Sequence, residues 1–203
     1  MNNAQFWEII SQTFSEEQEE QEAKLRNILS DLSVEELIDF DLTYRRHKKR
    51  AHHWDVWAAA YIINGGCSDD GFDYFKDWLI SRGEGVFENA LTEPETMIGI
   101  ATPWETEFEG FSYVAMEVME AKGGQFPKVP PELLHSDPEG DNWDEETVEM
   151  KYPKLSEWVN TSQTSQNPTA PLETQSEFNI LPILITVGLT VVFAYNALRL
   201  WLN

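Results

Sequence analysis

The stretch Trp54–Gly83, WDVWAAAYIINGGCSDDGFDYFKDWLISRG, decides the fold. Trp54, Trp57, Ala58, Tyr61 and Ile62 fall at i, i+3, i+4, i+7 and i+8, the spacing of one helical face. Ala58 to Ala60 favour that helix, since alanine loses no side-chain entropy in it. Asn64-Gly65-Gly66 ends it, because glycine enters the left-handed backbone of a helix terminus without a Cβ clash. Ser68 is placed to cap a second helix, with Asp69 and Asp70 in its first turn, where the helix dipole favours negative charge. Phe72, Phe75 and Leu79 form one apolar stripe of this helix and Tyr74 and Trp78 another; Arg82 suits its negative end and Gly83 stops it. The expected fold is all-α, a compact multi-helix bundle of about six or seven helices packed around Trp54, Trp57, Tyr61, Phe72, Phe75 and Leu79.

Upstream, a first helix is expected after Asn3 as cap, with Phe6, Ile10 and Phe14 as its buried line and Trp7 beside it. Ser15 and Gln18 have capping-box spacing for a second helix, whose start, EEQEEQE, reads as a solvated face or an acidic docking site. Leu25, Ile28, Leu29 and Leu32 give it a core side. Ser33 and Glu36 form a second box, flanked by Leu32 and Leu37 at hydrophobic-staple spacing, and Leu37, Phe40 and Tyr44 continue the buried line. Downstream, short helices are expected through Val86–Leu91 and after Pro94, and a longer one through Phe111–Val118 that stops at Gly123-Gly124. Residues 125–142 hold four prolines and read as an irregular wrap, anchored back by Trp143, Tyr152, Leu155 and Trp158. No alternating strand pattern stands out.

The run AAAYIINGGCSDDGFDYFKDWLISRGEGVFENAL resembles the core signature of the domain-of-unknown-function 4240 family, a bacterial helical domain. Phe6-Trp7-Glu8-Ile9-Ile10 resembles its opening helix. Trp143-Asp144-Glu145-Glu146 and Tyr152-Pro153-Lys154-Leu155 resemble its closing acidic turn and end, so the likeness covers roughly residues 4 to 159. The resemblance implies an all-helical domain, sometimes attached to regulatory modules, and no established catalytic residue or cofactor. The acidic insertion Glu16–Glu22 and the C-terminal tail look peculiar to this chain.

A net charge of −22 repels nucleic acid and anionic headgroups, so DNA or RNA binding is not expected. The 12% aromatic content argues for a folded body despite that charge. Cys67 is the only cysteine and no signal peptide is visible, which fits a reducing compartment.

Two clusters carry candidate chemistry. The first is a basic patch, Arg45, Arg46, Lys48, Lys49 and Arg50, within RRHKKRAHH, which also holds three of the four histidines. It suits an anion site or an acidic partner; against this, a basic helix end complements the dipole and the molecule's own acidic surface. His52 and His53 point about 100° apart on a helix and make poor joint metal ligands. The second is a polar turn, Ser68, Asp69, Asp70, Asp73 and Asp77. Its i, i+4 carboxylates suit a divalent cation or acid–base work, and Cys67 at a helix start suits a lowered pKa. Against this, Ser68 and the first two aspartates already serve as caps, and Asp73 and Asp77 suit solvent-facing partners for Lys76 or the basic cluster. No Walker A loop, GxSxG, HExxH or CxxC is present, so no catalytic residue, metal site or cofactor is assigned.

Residues 1–159 are thus expected as the acidic helical domain. Residues 160–179, rich in Ser, Thr, Asn, Gln and Pro, are expected as a flexible linker. Residues 180–203 are expected as an anchor: Ile180 to Leu198 is uncharged over nineteen positions and spans roughly 28 Å as a helix, close to a hydrocarbon core. Arg199 on the far side argues by the positive-inside rule for the opposite orientation, but a segment synthesised last behaves as a tail anchor and leaves the domain in the cytoplasm. The expectation is a single-pass, membrane-tethered interaction or regulatory module with a protein partner. The alternative is a metal- or carboxylate-dependent hydrolase working at the Cys67–Asp77 turn.

Overall fold

The computed structural model describes residues 1–134 and 137–166, with side chains described to Ser162. The expected Ile180–Leu198 anchor and most of the expected linker lie outside the described residues. Among the described residues, no helix is long and apolar enough to cross a membrane.

Nine α-helices are present among them: α1 (Asn3–Thr13), α2 (Gln18–Ser30), α3 (Val34–Arg50), α4 (Trp54–Asn64), α5 (Asp69–Ser81), α6 (Glu84–Thr92), α7 (Glu109–Ala121), α8 (Val148–Lys151) and α9 (Pro153–Gln166). Short 3-10 turns cover Pro94–Met97 and Pro131–Leu133. The described residues hold no strand, only one isolated bridge between His53 and Glu139. The all-α reading holds, with more helices than expected: the stretch after the wrap contributes α8, and α9 runs to Gln166, so the first seven residues read as linker are helical.

α5 is the hub, touching α1, α3, α4, α6 and α7. Every residue from Phe75 to Ser81 is buried, charged Lys76 and Asp77 included. A helix covered on all sides needs no polar face, and its two charges must find partners indoors. Phe72, Phe75 and Leu79 are core residues, as the stripe implies. The aromatic residues of α4 are not: Val56, Ala58, Ala59, Ala60, Ile62 and Ile63 form its buried surface, while Trp54, Trp57 and Tyr61 are half-buried. Three alanines let neighbouring helices approach, which leaves the bulky rings to the rim.

The caps follow local chemistry. Ser33 and Glu36 close a full capping box on α3, and Ser68 Oγ accepts from the Gly71 N–H on α5. Two expectations shift. The α1 cap is Asn2, boxed with Gln5, not Asn3. The Ser15–Gln18 box does not form; Glu17 precedes α2, and Ser15 Oγ donates to Glu20 at 2.7 Å. Phe14 leaves the buried line and is 48% exposed, lying beneath the Arg82 guanidinium. Within the acidic run Gln21 is fully buried, donating to the Ser81 carbonyl at 2.9 Å.

Gly65 ends α4 in the left-handed region at φ 67°, where an added Cβ would sit 3.1 Å from Trp104 Nε1. Gly65→Ala is expected to cost about 1–2 kcal/mol, with Gly65→Asn milder. Urea midpoints of the two variants check this; equal values for alanine and parent would contradict it.

Candidate functional site

The two clusters singled out in the sequence meet along one seam. The C-terminal half of α3 lies against α5 and brings Lys48 Nζ to 2.9 Å from Asp77 Oδ1 and 3.4 Å from Asp73. Tyr44, one turn earlier on α3, donates its hydroxyl to the same Asp77 oxygen at 2.5 Å. Asp73 also pairs with Lys76 at 2.6 Å, and Lys76 Nζ lies 3.3 Å from His52 Nδ1. The result is a continuous chain Tyr44–Asp77–Lys48–Asp73–Lys76–His52.

Asp77 is the correction here. Its carboxylate is fully buried rather than solvent-facing, and Oδ2 has no hydrogen-bond partner among the described residues. Burial pushes its pKa above the usual carboxylate range, against the pull of Lys48 and Tyr44. Burial also raises the Tyr44 pKa, with the Asp77 charge acting in the same direction, so the phenol stays a donor. Burial lowers the Lys76 pKa, which the Asp73 pair opposes. The sequence named Lys76 as a solvent-facing partner of the aspartates; the pair with Asp73 forms, but Lys76 itself is buried.

The rest of the polar turn is exposed. Ser68 caps, and Asp69 and Asp70 occupy the first turn of α5. Cys67 does not have the low thiol pKa that a helix start suggests: burial, reinforced by the Glu107 charge, pushes it up to about 12. Iodoacetamide at pH 8 is therefore expected to alkylate Cys67 in the full chain at least about tenfold more slowly than free cysteine. A rate equal to free cysteine would overturn that.

The basic patch divides. Arg45 pairs with Asp41 on its own helix at 2.7 Å, and Arg50 makes two 2.7 Å bonds to Glu88 of α6. Lys49 donates to the Leu134 carbonyl at 3.4 Å, and exposed Arg46 lies 3.5 Å from Thr43 Oγ1. Arg45, Lys48 and Lys49 share a small cleft of about 110 Å³ with His52, Asp73 and Lys76, whereas Arg46 and Arg50 do not line it.

Beside the seam opens a larger cleft of about 470 Å³, lined by Trp54, Trp57 and Phe72, by Asp69, Asp70, Asp73 and Asp137, and by His52 and Lys76. The rings form a ladder. Trp54 stacks on Trp57 at 5.3 Å and 6°, and Trp57 on Phe72 at 4.8 Å and 9°; His52 stacks against Phe72 at 5.7 Å. Trp143 stands edge-on to both indoles and donates to the Trp54 carbonyl at 2.9 Å. The segment that delivers it is pinned by Trp54 N–H to the Glu139 carbonyl at 2.8 Å and Glu139 N–H to the His52 carbonyl at 3.0 Å. A second cavity of similar size, between α3, α7 and the 124–129 loop, has Met116, Met119 and Phe126 in its wall, with Asp41 and Glu120 offset by Arg45 and Lys48. Among the described residues, no three His, Cys, Asp or Glu groups converge to hold a metal ion.

These features define an acidic, all-helical domain with a paired polar seam and an aromatic cleft. The chain belongs to the family described as protein of unknown function (DUF4240), whose model matches residues 1–121. The match takes in α1 to α7 and stops short of Trp143–Glu146 and Tyr152–Leu155, which resemblance alone attached to the family. No curated protein and no solved structure matches the chain.

Proposed function

We propose that the protein is a membrane-tethered interaction module, an acidic helical domain held on the cytoplasmic side of a bilayer by Ile180 to Leu198 and recruiting a protein partner there. One observation carries the interaction part. The groups that looked chemical in the sequence are committed to one another: Asp77 to Tyr44 and Lys48, Asp73 to Lys48 and Lys76, Ser68 to its own helix. Beside them opens a concave aromatic surface. The uncharged run after residue 179 supports the tether, and a tether raises the local concentration of the domain at the membrane. The metal- or carboxylate-dependent hydrolase alternative at the Cys67–Asp77 turn is weakened by the burial of Asp77 and by the ion pairs that hold Asp73.

The test has two arms. Full chain should stay with bilayers through a carbonate wash, and full chain in mild detergent should capture a specific partner from its own host. Release by carbonate removes the tether; no partner across several growth conditions removes the module.

A further inference from the structure

We infer that the cleft beside the α3–α5 seam receives a cationic side chain, arginine before lysine, from an exposed basic segment of the partner. The inference deepens the interaction reading above and rests on it.

The wall comes first. Trp54, Trp57 and Phe72 present a stacked aromatic ladder in a cavity of about 470 Å³. Stacking covers both faces of Trp57, and Phe72 already carries Lys76 and His52, so the ring face left for an incoming cation is the outer one of Trp54, where the quadrupole attracts it by about 0.5–2 kcal/mol depending on desolvation. Charge comes second. Asp69, Asp70 and Asp137 share the cleft, and none of the three makes an ion pair among the described residues. An apolar occupant would strip water from those carboxylates without compensation, and an anion would be repelled. The carboxylates do not converge on a metal-sized point. A larger organic cation, able to lie along rings and reach separate carboxylates, fits both facts.

The floor already displays this chemistry. Lys76 Nζ sits 4.7 Å from the Phe72 ring centroid and 2.6 Å from Asp73, a cation held between a ring and a carboxylate. A partner's guanidinium repeats the arrangement at the open end. Arginine is favoured because its planar fork both stacks on aromatic rings and binds a carboxylate through two parallel bonds. The net charge of −22 steers a basic segment to the surface, and that steering weakens with salt.

The experiment titrates full chain in mild detergent with a blocked Gly-Arg-Gly amide, followed by tryptophan fluorescence and calorimetry. Gly-Lys-Gly, Gly-Glu-Gly and spermidine are the comparison probes. The arginine peptide should bind saturably, the lysine peptide more weakly and the glutamate peptide not at all. The double variant Asp70→Asn, Asp137→Asn alters two exposed side chains; it should bind the arginine peptide at least about fivefold more weakly at an unchanged melting temperature. Equal binding by parent and variant, or binding of the glutamate peptide, overturns the inference. Spermidine that binds more tightly than the arginine peptide and displaces it also overturns it, since the cleft would then serve a free polyamine.

Capture by the parent and the double variant separates this inference from the broader reading. A partner retained equally by both keeps the module and removes the cleft's role. Saturable arginine binding that the double variant loses, with no partner captured, keeps the cleft as a cation receptor and removes the module.

Discussion

Asp77→Ala is expected to cost about 3–5 kcal/mol, because it removes one member of a buried ion pair and strands the others. Asp77 is fully buried and its Oδ1 receives both the Tyr44 hydroxyl at 2.5 Å and Lys48 Nζ at 2.9 Å. Without it, a buried phenol loses its acceptor, and Lys48 keeps only Asp73, which it shares with Lys76. Against a typical domain stability of about 5–15 kcal/mol the loss is large, and it should lower the melting temperature by roughly 10 °C. Tyr44→Phe is the control. It removes one hydrogen bond to a charged group and leaves the Lys48 pair, so its cost should be about 1.5–3 kcal/mol. Denaturation curves for both variants decide the matter. An Asp77→Ala chain as stable as the parent would mean that the seam contributes nothing to stability.

The second large effect is a loss of stability in acid that is traced to His47. Its ring is buried against Phe6, Trp7 and Phe87, with centroids at 4.9, 4.6 and 5.4 Å. Burial, with Arg50 nearby, lowers its pKa from 6.5 to about 4. The unfolded chain takes up a proton near pH 6.5, whereas the folded chain resists until about pH 4. The contribution is therefore fully present above the unfolded pKa and is lost as pH falls through that window, by about 3 kcal/mol in all. His47→Leu removes the titrating group, so the difference in stability between pH 7 and pH 4 should shrink by about that amount relative to the parent. Comparing the two chains cancels the many carboxylates that titrate in the same range. Parallel pH profiles would show that His47 is not held neutral.

Several features governed by a few neighbouring residues were legible in the sequence, though the α1 cap fell one residue early and the Ser15–Gln18 box did not form. The Ser33–Glu36 box, the Ser68 cap and the left-handed Gly65 depend on backbone chemistry within one turn, and they stand where that chemistry places them. Features governed by distant partners were not. The pairing of Asp73 and Asp77 with Lys76 and the basic cluster was legible, but the burial of Asp77 and its bond from Tyr44 were not, because both depend on how α3 lies against α5. α4 is apolar on almost every face, so spacing could not say whether its alanines or its tryptophans turn inward. His47 could have been read correctly, since it continues the 37, 40, 44 progression on α3, but its basic neighbours masked the pattern. Of the candidate site, Asp69, Asp70 and Asp73 were visible as residues. Trp54, Trp57 and Phe72 were visible too, as expected core, but their stacking across α4 and α5 and the arrival of Asp137 and Trp143 from a remote stretch were not.

That remote stretch lies beyond the residues that the family model matches, yet it seals part of the hydrophobic interior. Val148, Leu155 and Val159 are core residues, and Trp143 shields the α4 indoles. Homology and foldability thus draw different borders on this polypeptide. A relative that stops near the end of α7 would face water with a bare flank and would have to borrow a cover from a sister subunit or a different appendage. Here the cover is supplied in cis, which frees the molecule from needing a neighbour at that flank.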